Sequence, residues 1–124
     1  MINKLAEEIH KNNISKGFYE ENKNIGEMIA LIHSEVSEAL EADRKRKYAD
    51  LNTSQGNILL GWINDDDFKT EFIEKCKDTF EDELSDIMIR VMDLAKYKKI
   101  NLEMHINAKM RFNSLREYKH GKQY

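Results

Sequence analysis

Apolar side chains recur every three to four positions along most of this 124-residue chain, which is the spacing of one face of an α-helix. The pattern predicts a first helix that begins at Ile2, a second from about Ile25 to about Lys47, and a third from about Asp65 to about Lys99. A last helix is predicted to start near Asn101. No stretch alternates apolar and polar residues as a half-buried strand does, so the expected fold is all-α.

The two long predicted helices each carry an apolar stripe that is expected to face the core. On the second helix the stripe is made of Ile25, Met28, Ile29, Ile32, Val36, Ala39 and Leu40. On the third it is made of Ile73, Phe80, Leu84, Ile87, Met88, Val91, Leu94 and Ala95. The chain has no proline, which agrees with a mainly helical fold because helix interiors tolerate proline poorly.

A long connection is expected between these two helices. Residues from about 48 to 67 are mostly polar and contain Gly56 and Gly61, while Ile58–Leu60 and Trp62 predict that part of the segment packs down or forms a lid. The run Asp65–Asp67 at its end supplies N-terminal caps and favourable dipole partners for the third helix.

Length, charge and cysteine content narrow the class of protein. A chain of 124 residues is long enough for one hydrophobic core, so residues 1–124 are expected to form a single domain. The net charge of −3 argues against a nucleic acid polymer as partner. Cys76 is the only cysteine, which fits a reducing cytoplasm. No apolar run approaches the roughly 20 residues that span a bilayer, so no membrane partner is expected.

Two short acidic motifs stand out within the apolar runs. Glu35 and Glu38 lie one helical turn apart on the second helix, and Glu83 and Asp86 have the same relation on the third. In each pair the first carboxylate lies roughly 80° and the second roughly 140° from the centre of the apolar stripe, at about 100° per residue. If the helices pack antiparallel about a local twofold axis, both pairs converge. Four oxygen ligands would suit Mg²⁺, or Mn²⁺ as a substitute.

Ordinary explanations compete with a metal site. A single pair of carboxylates one turn apart is usually a solvated helix face, whereas two pairs with matched flanks are much rarer by accident. Arg90 follows Asp86 by one turn, so part of the acidity would serve a structural ion pair. Glu41 and Asp93 are expected at the rim of the acidic region.

The acidic motifs and their flanks resemble the MazG-type all-α nucleoside triphosphate pyrophosphohydrolases. The resemblance covers Gly26–Arg44 and Phe80–Ala95, which are similar to the two motif helices of that family. It extends to the segments Lys16–Phe18, Lys109–Asn113, Arg116 and His120–Lys122. The resemblance implies a four-helix MazG-like bundle with two long central antiparallel helices. It also implies cleavage of a (d)NTP between the α and β phosphates, giving (d)NMP and pyrophosphate.

The resemblance also implies roles for individual residues. Glu35, Glu38, Glu83 and Asp86 would hold Mg²⁺, and one of the glutamates, with Glu38 as a guess, would orient or deprotonate the attacking water. The triphosphate would be bound by the side chains of Lys109, Asn113, Arg116 and Lys122. Phe18 is a candidate for stacking on the base. Related dUTPase-like and phosphoribosyl-ATP-cleaving enzymes share the carboxylates, so the base and the sugar stay open.

Two other functions and an assembly state complete the expectations. A di-iron carboxylate bundle needs paired Glu-x-x-His motifs; Glu7–His10 and Glu117–His120 match the letters, but the first faces away from the apolar side and the second lies at a helix end. A non-enzymatic helical module whose acidic faces bind a basic partner is the main alternative. Two long helices in so small a chain rarely bury all their apolar surface alone, so a homodimer or homotetramer is expected.

Overall fold

The computed structural model describes residues 1–49, 61 and 64–117. Within these residues the chain forms helices and no β-strand, which confirms the all-α class. The helices are α1 (Ile2–Ser15), α2 (Ile25–Arg44), α3 (Asp65–Lys75), α4 (Phe80–Tyr97) and α5 (Leu102–Ser114). None of the helices in the described part is both long and apolar enough to cross a membrane.

The third predicted helix is wrong as a single element, because the chain forms α3 and α4 with a turn between them. Asp78 in this turn has φ +64°, a left-handed backbone conformation that an α-helix does not contain. The Thr79 hydroxyl then accepts a hydrogen bond from the Asp82 N–H at 3.3 Å, which caps the start of α4. The apolar spacing continues through this turn, so periodicity alone does not reveal it.

Asparagine side chains begin three of the helices. Asn24 accepts from the Glu27 N–H at 3.1 Å, Asn64 from the Asp67 N–H at 2.8 Å, and Asn101 from the Met104 N–H at 3.1 Å. Each bond satisfies a backbone donor that has no partner within its own helix. The predicted caps Asp65–Asp67 instead lie in the first turn of α3, where their charges favour the helix dipole.

The described residues form two compact units, and α4 contributes to both of them. One unit contains Met1–Lys23 and the chain from Val91, and the other contains Asn24–Arg90. The prediction of a single domain over residues 1–124 stays a prediction. Most of the predicted connection between residues 48 and 67, including Ile58–Leu60 and Trp62, lies outside the described residues.

In the unit Asn24–Arg90, α2 and α4 run antiparallel. The Phe80 N–H at the start of α4 donates to the Lys47 carbonyl just after α2, at 2.8 Å. Two to three turns further along α4, Arg90 pairs with Glu35 in the middle of α2. Contacts that move forward along one helix and backward along the other are those of an antiparallel pair.

The predicted apolar stripes are only partly the buried faces of these two helices. On α2 the buried residues are Glu35, Ala39 and Ala42, and on the first part of α4 the buried residue is Glu83. Side chains expected to face inward are instead 44–52% exposed: Ile29, Val36, Leu40, Leu84 and Met88. Each helix is therefore rotated toward its carboxylates relative to the prediction. Burial of polar groups is costly, so the buried carboxylates need an interaction at the site that compensates this cost.

The other unit contains a buried hydrogen-bond network around Asp93, which corrects the expectation of a rim position. Asp93 is 8% exposed. Its carboxylate accepts from the Tyr19 hydroxyl at 2.6 Å, and its other oxygen lies 2.9 Å from Nδ1 of His10. The Tyr97 hydroxyl accepts from the Lys23 N–H at 3.2 Å. These bonds hold the loop after α1 against α4, and they give His10 a structural partner.

Candidate metal centre

Three of the four predicted metal ligands come together in the unit Asn24–Arg90. Oxygen atoms of Glu35, Glu38 and Glu83 lie within 4.8 Å of one another. The spacing of three residues places Glu35 and Glu38 one turn apart on α2, and the antiparallel packing brings Glu83 of α4 opposite them. The result is a set of carboxylate oxygens from two helices around one point.

Two of these carboxylates are buried without enough hydrogen-bond donors around them. Glu35 is 8% exposed and Glu83 is 5% exposed. Oε2 of Glu35 and Oε2 of Glu83 are both buried, and no amide, guanidinium or hydroxyl group of the described residues donates a hydrogen bond to either atom. A buried acceptor without a partner costs about 1–3 kcal/mol, and more when it is charged. Orphaned carboxylate oxygens of this kind are what a hard divalent cation binds.

Arg90 provides a positive charge at this cluster. Its Nε donates to Oε1 of Glu35 at 2.9 Å. The spacing in the sequence offered Asp86, on the same helix, as the partner of Arg90; the ion pair is formed with Glu35 instead, and the charge of Arg90 also acts to lower the pKa of Asp86. The longer reach across to α2 is favoured because Glu35 is buried and an ionised buried carboxylate needs a counter-charge.

Two carboxyl groups of the cluster have pKa values shifted in opposite directions. Burial, then hydrogen bonds and charges from Glu35 and Glu38, raise the pKa of Glu83 to about 8. Burial also acts to raise the pKa of Glu35, but hydrogen bonds from Arg90 and from the two neighbouring glutamates outweigh it and lower that pKa. At neutral pH Glu83 is therefore mostly protonated and Glu35 is ionised. Perturbed carboxyl groups of this kind are concentrated at functional sites.

Asp86, the fourth predicted ligand, lies beside this group rather than in it. Among the described residues, the carboxylates within 4.8 Å of one another do not include it together with the three glutamates. Burial, followed by the charges of Asp82 and Glu35, raises the pKa of Asp86. The charges of the cluster therefore affect the pKa of Asp86, although its carboxylate is not part of the cluster. Its role as a metal ligand stays a prediction.

A second acidic group, Asp78 and Asp82 with Glu83, was not anticipated from the sequence. The Asp78 N–H donates to Asp82 at 2.9 Å, and the Lys77 ammonium contacts Asp78 at 3.1 Å. Both aspartates thus stabilise the turn before α4. In the sequence, Thr79 with Asp82 three residues later is a pattern typical of a helix N-terminus, and it could have indicated this turn.

A groove of about 910 Å³ adjoins Asp82 and Asp86 in the same unit. Phe72, Cys76 and Ile89 contribute apolar side chains to it. Most of its other lining residues are polar or charged and come from the turn before α4 and from α4 itself, so the groove combines apolar surface with polar groups, as small-molecule sites do.

The predicted substrate-binding residues belong to the other unit. Phe18 is 58% exposed, and the Lys23 ammonium lies 6.0 Å from the centre of its ring. Lys109 and Arg116 both lie over the ring of Phe112, at 5.0 and 5.7 Å from its centre. Oδ1 of Asn113 is buried without a hydrogen-bond partner. Lys122 lies outside the described residues.

Comparison with known protein families, with curated proteins and with solved structures gives no match to this chain. The resemblance to MazG-type enzymes therefore rests on the motifs in the sequence, and it stays a prediction.

Proposed function

We propose that this chain is a cytoplasmic, MazG-like nucleoside triphosphate pyrophosphohydrolase that depends on Mg²⁺. One observation carries the proposal: two helices bring Glu35, Glu38 and Glu83 within 4.8 Å and leave two of their buried oxygens without a partner. A solvated acidic face would not bury its carboxylates, and a purely structural ion pair would not leave their oxygens unsatisfied.

The donor set fits a hard divalent cation. All the ligand atoms are carboxylate oxygens, which Mg²⁺ and Mn²⁺ prefer over softer metals. The same set fits a di-iron centre poorly, because no histidine belongs to the acidic groups of the described residues. Glu35, Glu38 and Glu83 would hold the cation, and Asp86 would join them when it binds. The bound cation would neutralise phosphate charge and increase the acidity of water.

The proposed roles of individual residues are those that the resemblance implies, and the exposure of Glu38 and Phe18 supports two of them. Glu38 is the exposed member of the cluster, so it would accept a proton from water. Lys109, Arg116 and Lys122 would balance the charge of the triphosphate, and Asn113 would donate a hydrogen bond to it. Phe18 would stack on the base, since its ring is exposed beside a lysine.

The proposal includes a homodimer or homotetramer, in which a second copy of this chain covers an apolar face of the unit Asn24–Arg90. Around the axis of α2, the exposed side chains of Ile29, Val36 and Leu40 lie about 110° from the centre of the buried face. The angle is measured in the direction in which residue number rises. Exposed Leu84 and Met88 follow Glu83, the buried residue of the first part of α4, by about 120° in the same direction. Because α2 and α4 are antiparallel, similar angular offsets place the exposed apolar side chains of both helices on the same side of the helix pair.

Charges at the ends of the helices favour a second copy as the occupant of this apolar face. α2 is followed by an exposed basic run, Arg44–Lys47, and α4 begins beside the exposed Glu81. A twofold axis parallel to the helices sets α2 of one copy opposite α4 of the other. It then brings the basic end of α2 against the acidic start of the partner's α4.

Pyrophosphate release from a panel of canonical and modified dNTPs in the presence of Mg²⁺ tests the activity. Glu38→Gln and Asp86→Asn are expected to abolish turnover while circular dichroism shows unchanged helicity. Glu41→Gln is the matched control, because Glu41 lies on α2 in an exposed pair with Lys45. Activity retained in both site variants would reject the site. No nucleotide binding, together with affinity for a basic protein, would favour the interaction module instead.

Light scattering coupled to size-exclusion chromatography tests the assembly. The wild type is expected at two or four times 14.7 kDa. The double substitution Val36→Glu with Met88→Glu is expected to give a monomer. Ile73→Glu is the control, because Ile73 is 63% exposed on α3 and lies outside the apolar face. A monomeric wild type would refute the proposed assembly.

A further inference from the structure

Arg90 contacts the candidate metal centre through one atom of one carboxylate. Its Nε donates to Oε1 of Glu35 at 2.9 Å, and the other oxygen of the same group, Oε2, is buried and unpartnered. The two oxygens of Glu35 thus have separate environments. One is fixed by the arginine, and the other remains for a ligand.

We propose that Arg90 is a positioning residue, which fixes the carboxylate plane of Glu35 so that Oε2 is presented to a divalent cation. This inference rests on the proposed function, since it needs a cation at the cluster. A carboxylate held through one oxygen loses its freedom to rotate about the last side-chain bond, so less order has to be created when a cation binds. Hydrogen-bond partners of metal ligands commonly have this effect.

The position of Arg90 in the fold supports this role. Arg90 follows Glu83 by seven residues, so at about 100° per residue the two side chains leave the same face of α4 only about 20° apart. Glu35 on α2 is therefore held by α4 on the same side from which Glu83 enters the cluster. The single bond orients Glu35 and also ties the two helices that carry the three carboxylates.

The charge of Arg90 acts in the opposite direction to its proposed role. A positive charge beside a cation site repels the cation, so a purely electrostatic account expects tighter Mg²⁺ binding when the arginine is neutralised. A positioning account expects weaker binding when the N–H donor is lost, typically by about 10- to 100-fold. The two accounts therefore differ in sign.

Two neutral substitutions separate the donor from the charge. In glutamine the side-chain nitrogen occupies the same place along the chain as Nε of arginine, whereas methionine has the same length and no donor. Arg90→Gln and Arg90→Met therefore lose the same charge and differ in the hydrogen bond to Glu35. Lys69→Met is the matched control, because it removes one positive charge from an exposed position on α3 of the same unit, outside the acidic cluster.

Isothermal titration of the full chain with MgCl₂ alone, without nucleotide, is the test. Arg90→Gln is expected to bind Mg²⁺ at least as tightly as the wild type, and Arg90→Met about 10- to 100-fold more weakly than Arg90→Gln. Lys69→Met is expected to bind as the wild type does. Circular dichroism and melting of the metal-free proteins check that all variants are folded.

Equal affinities of Arg90→Gln and Arg90→Met would overturn the inference, whether both rise or both fall. If Arg90→Met does not fold, Arg90→Gln decides alone: affinity at or above the wild type supports positioning by the donor, and a tenfold loss overturns it. A wild type that binds no Mg²⁺ would overturn the proposed metal site and this inference together. A wild type that binds, with Arg90→Met equal to Arg90→Gln, would overturn only the inference.

Discussion

Binding of Mg²⁺ at pH 7 is expected to release a proton from the cluster of Glu35, Glu38 and Glu83. The proton resides on Glu83, whose pKa is raised to about 8 mainly by burial and then by its two glutamate neighbours. Metal ligands bind as carboxylates, so a cation that takes Oε2 of Glu83 must displace this proton. Proton release is therefore a direct measure of whether the cation enters this particular cluster.

The size of the effect follows from that pKa. At pH 7 a group with a pKa of about 8 is protonated in about 0.9 of the molecules, so about 0.9 of a proton is released per site. Below the pKa, protons compete with the cation. The apparent affinity is therefore expected to rise about 50-fold from pH 6 to pH 8, since the competition factor falls from about 101 to about 2 over that range.

Calorimetric titration in two buffers of different ionisation enthalpy that do not bind Mg²⁺ measures the release. The slope of the observed enthalpy against the buffer enthalpy gives the number of protons. The same titration at pH 9 is an internal control, because Glu83 is mostly ionised there and the slope is expected to fall to about 0.1. A slope near zero at pH 7 with clear binding would show that the cation binds elsewhere, and the reasoning would be refuted.

Three further predictions concern stability. Because the pKa of Glu83 is raised, its contribution to the free energy of unfolding of the metal-free protein falls as the pH rises from about 4.5 to about 8. Glu83→Gln should therefore be more stable than the wild type in urea unfolding, most clearly at pH 8 and above. An unchanged difference between pH 5 and pH 9 would contradict this. Tyr19→Phe removes a hydrogen bond to the buried Asp93 and should cost about 1.5–3 kcal/mol by chemical denaturation, with Tyr48→Phe on the exposed bond to Asp43 as the control. Asn64→Ala removes the cap of α3 and should cost about 1 kcal/mol with a loss of helical signal, whereas no loss of either would contradict the assigned cap.

The sequence predicts the helical class because its apolar period runs through most of the chain. The same period also indicates that Glu35, Glu38 and Glu83 share one side of their helices, since angular position depends only on residue number. Which side of each helix faces the core is a different matter. Apolar content alone favours the stripe around Val36, whereas the structure buries the face of Glu35 with Ala39 and Ala42.

The remaining differences arise from contacts between residues far apart in the chain. The turn at Asp78 depends on a left-handed backbone and a threonine cap, both of which leave the apolar spacing intact. Asp93 is buried because His10 and Tyr19, more than seventy residues earlier, reach its two oxygens. The apolar period describes one helix at a time, so it does not predict contacts between side chains of different segments.

A proton on Glu83 would allow α2 and α4 to pack together before the proposed cation binds. A newly made chain meets no bound cation, and three ionised glutamates pressed together would oppose the approach of α2 and α4. With Glu83 neutral and Glu35 paired with Arg90, the remaining carboxyl group of the cluster is that of Glu38, which is exposed to water. A hydrogen ion on Glu83 would thus hold the place of the proposed cation, and removal of that cation would return the cluster to the same protonated state.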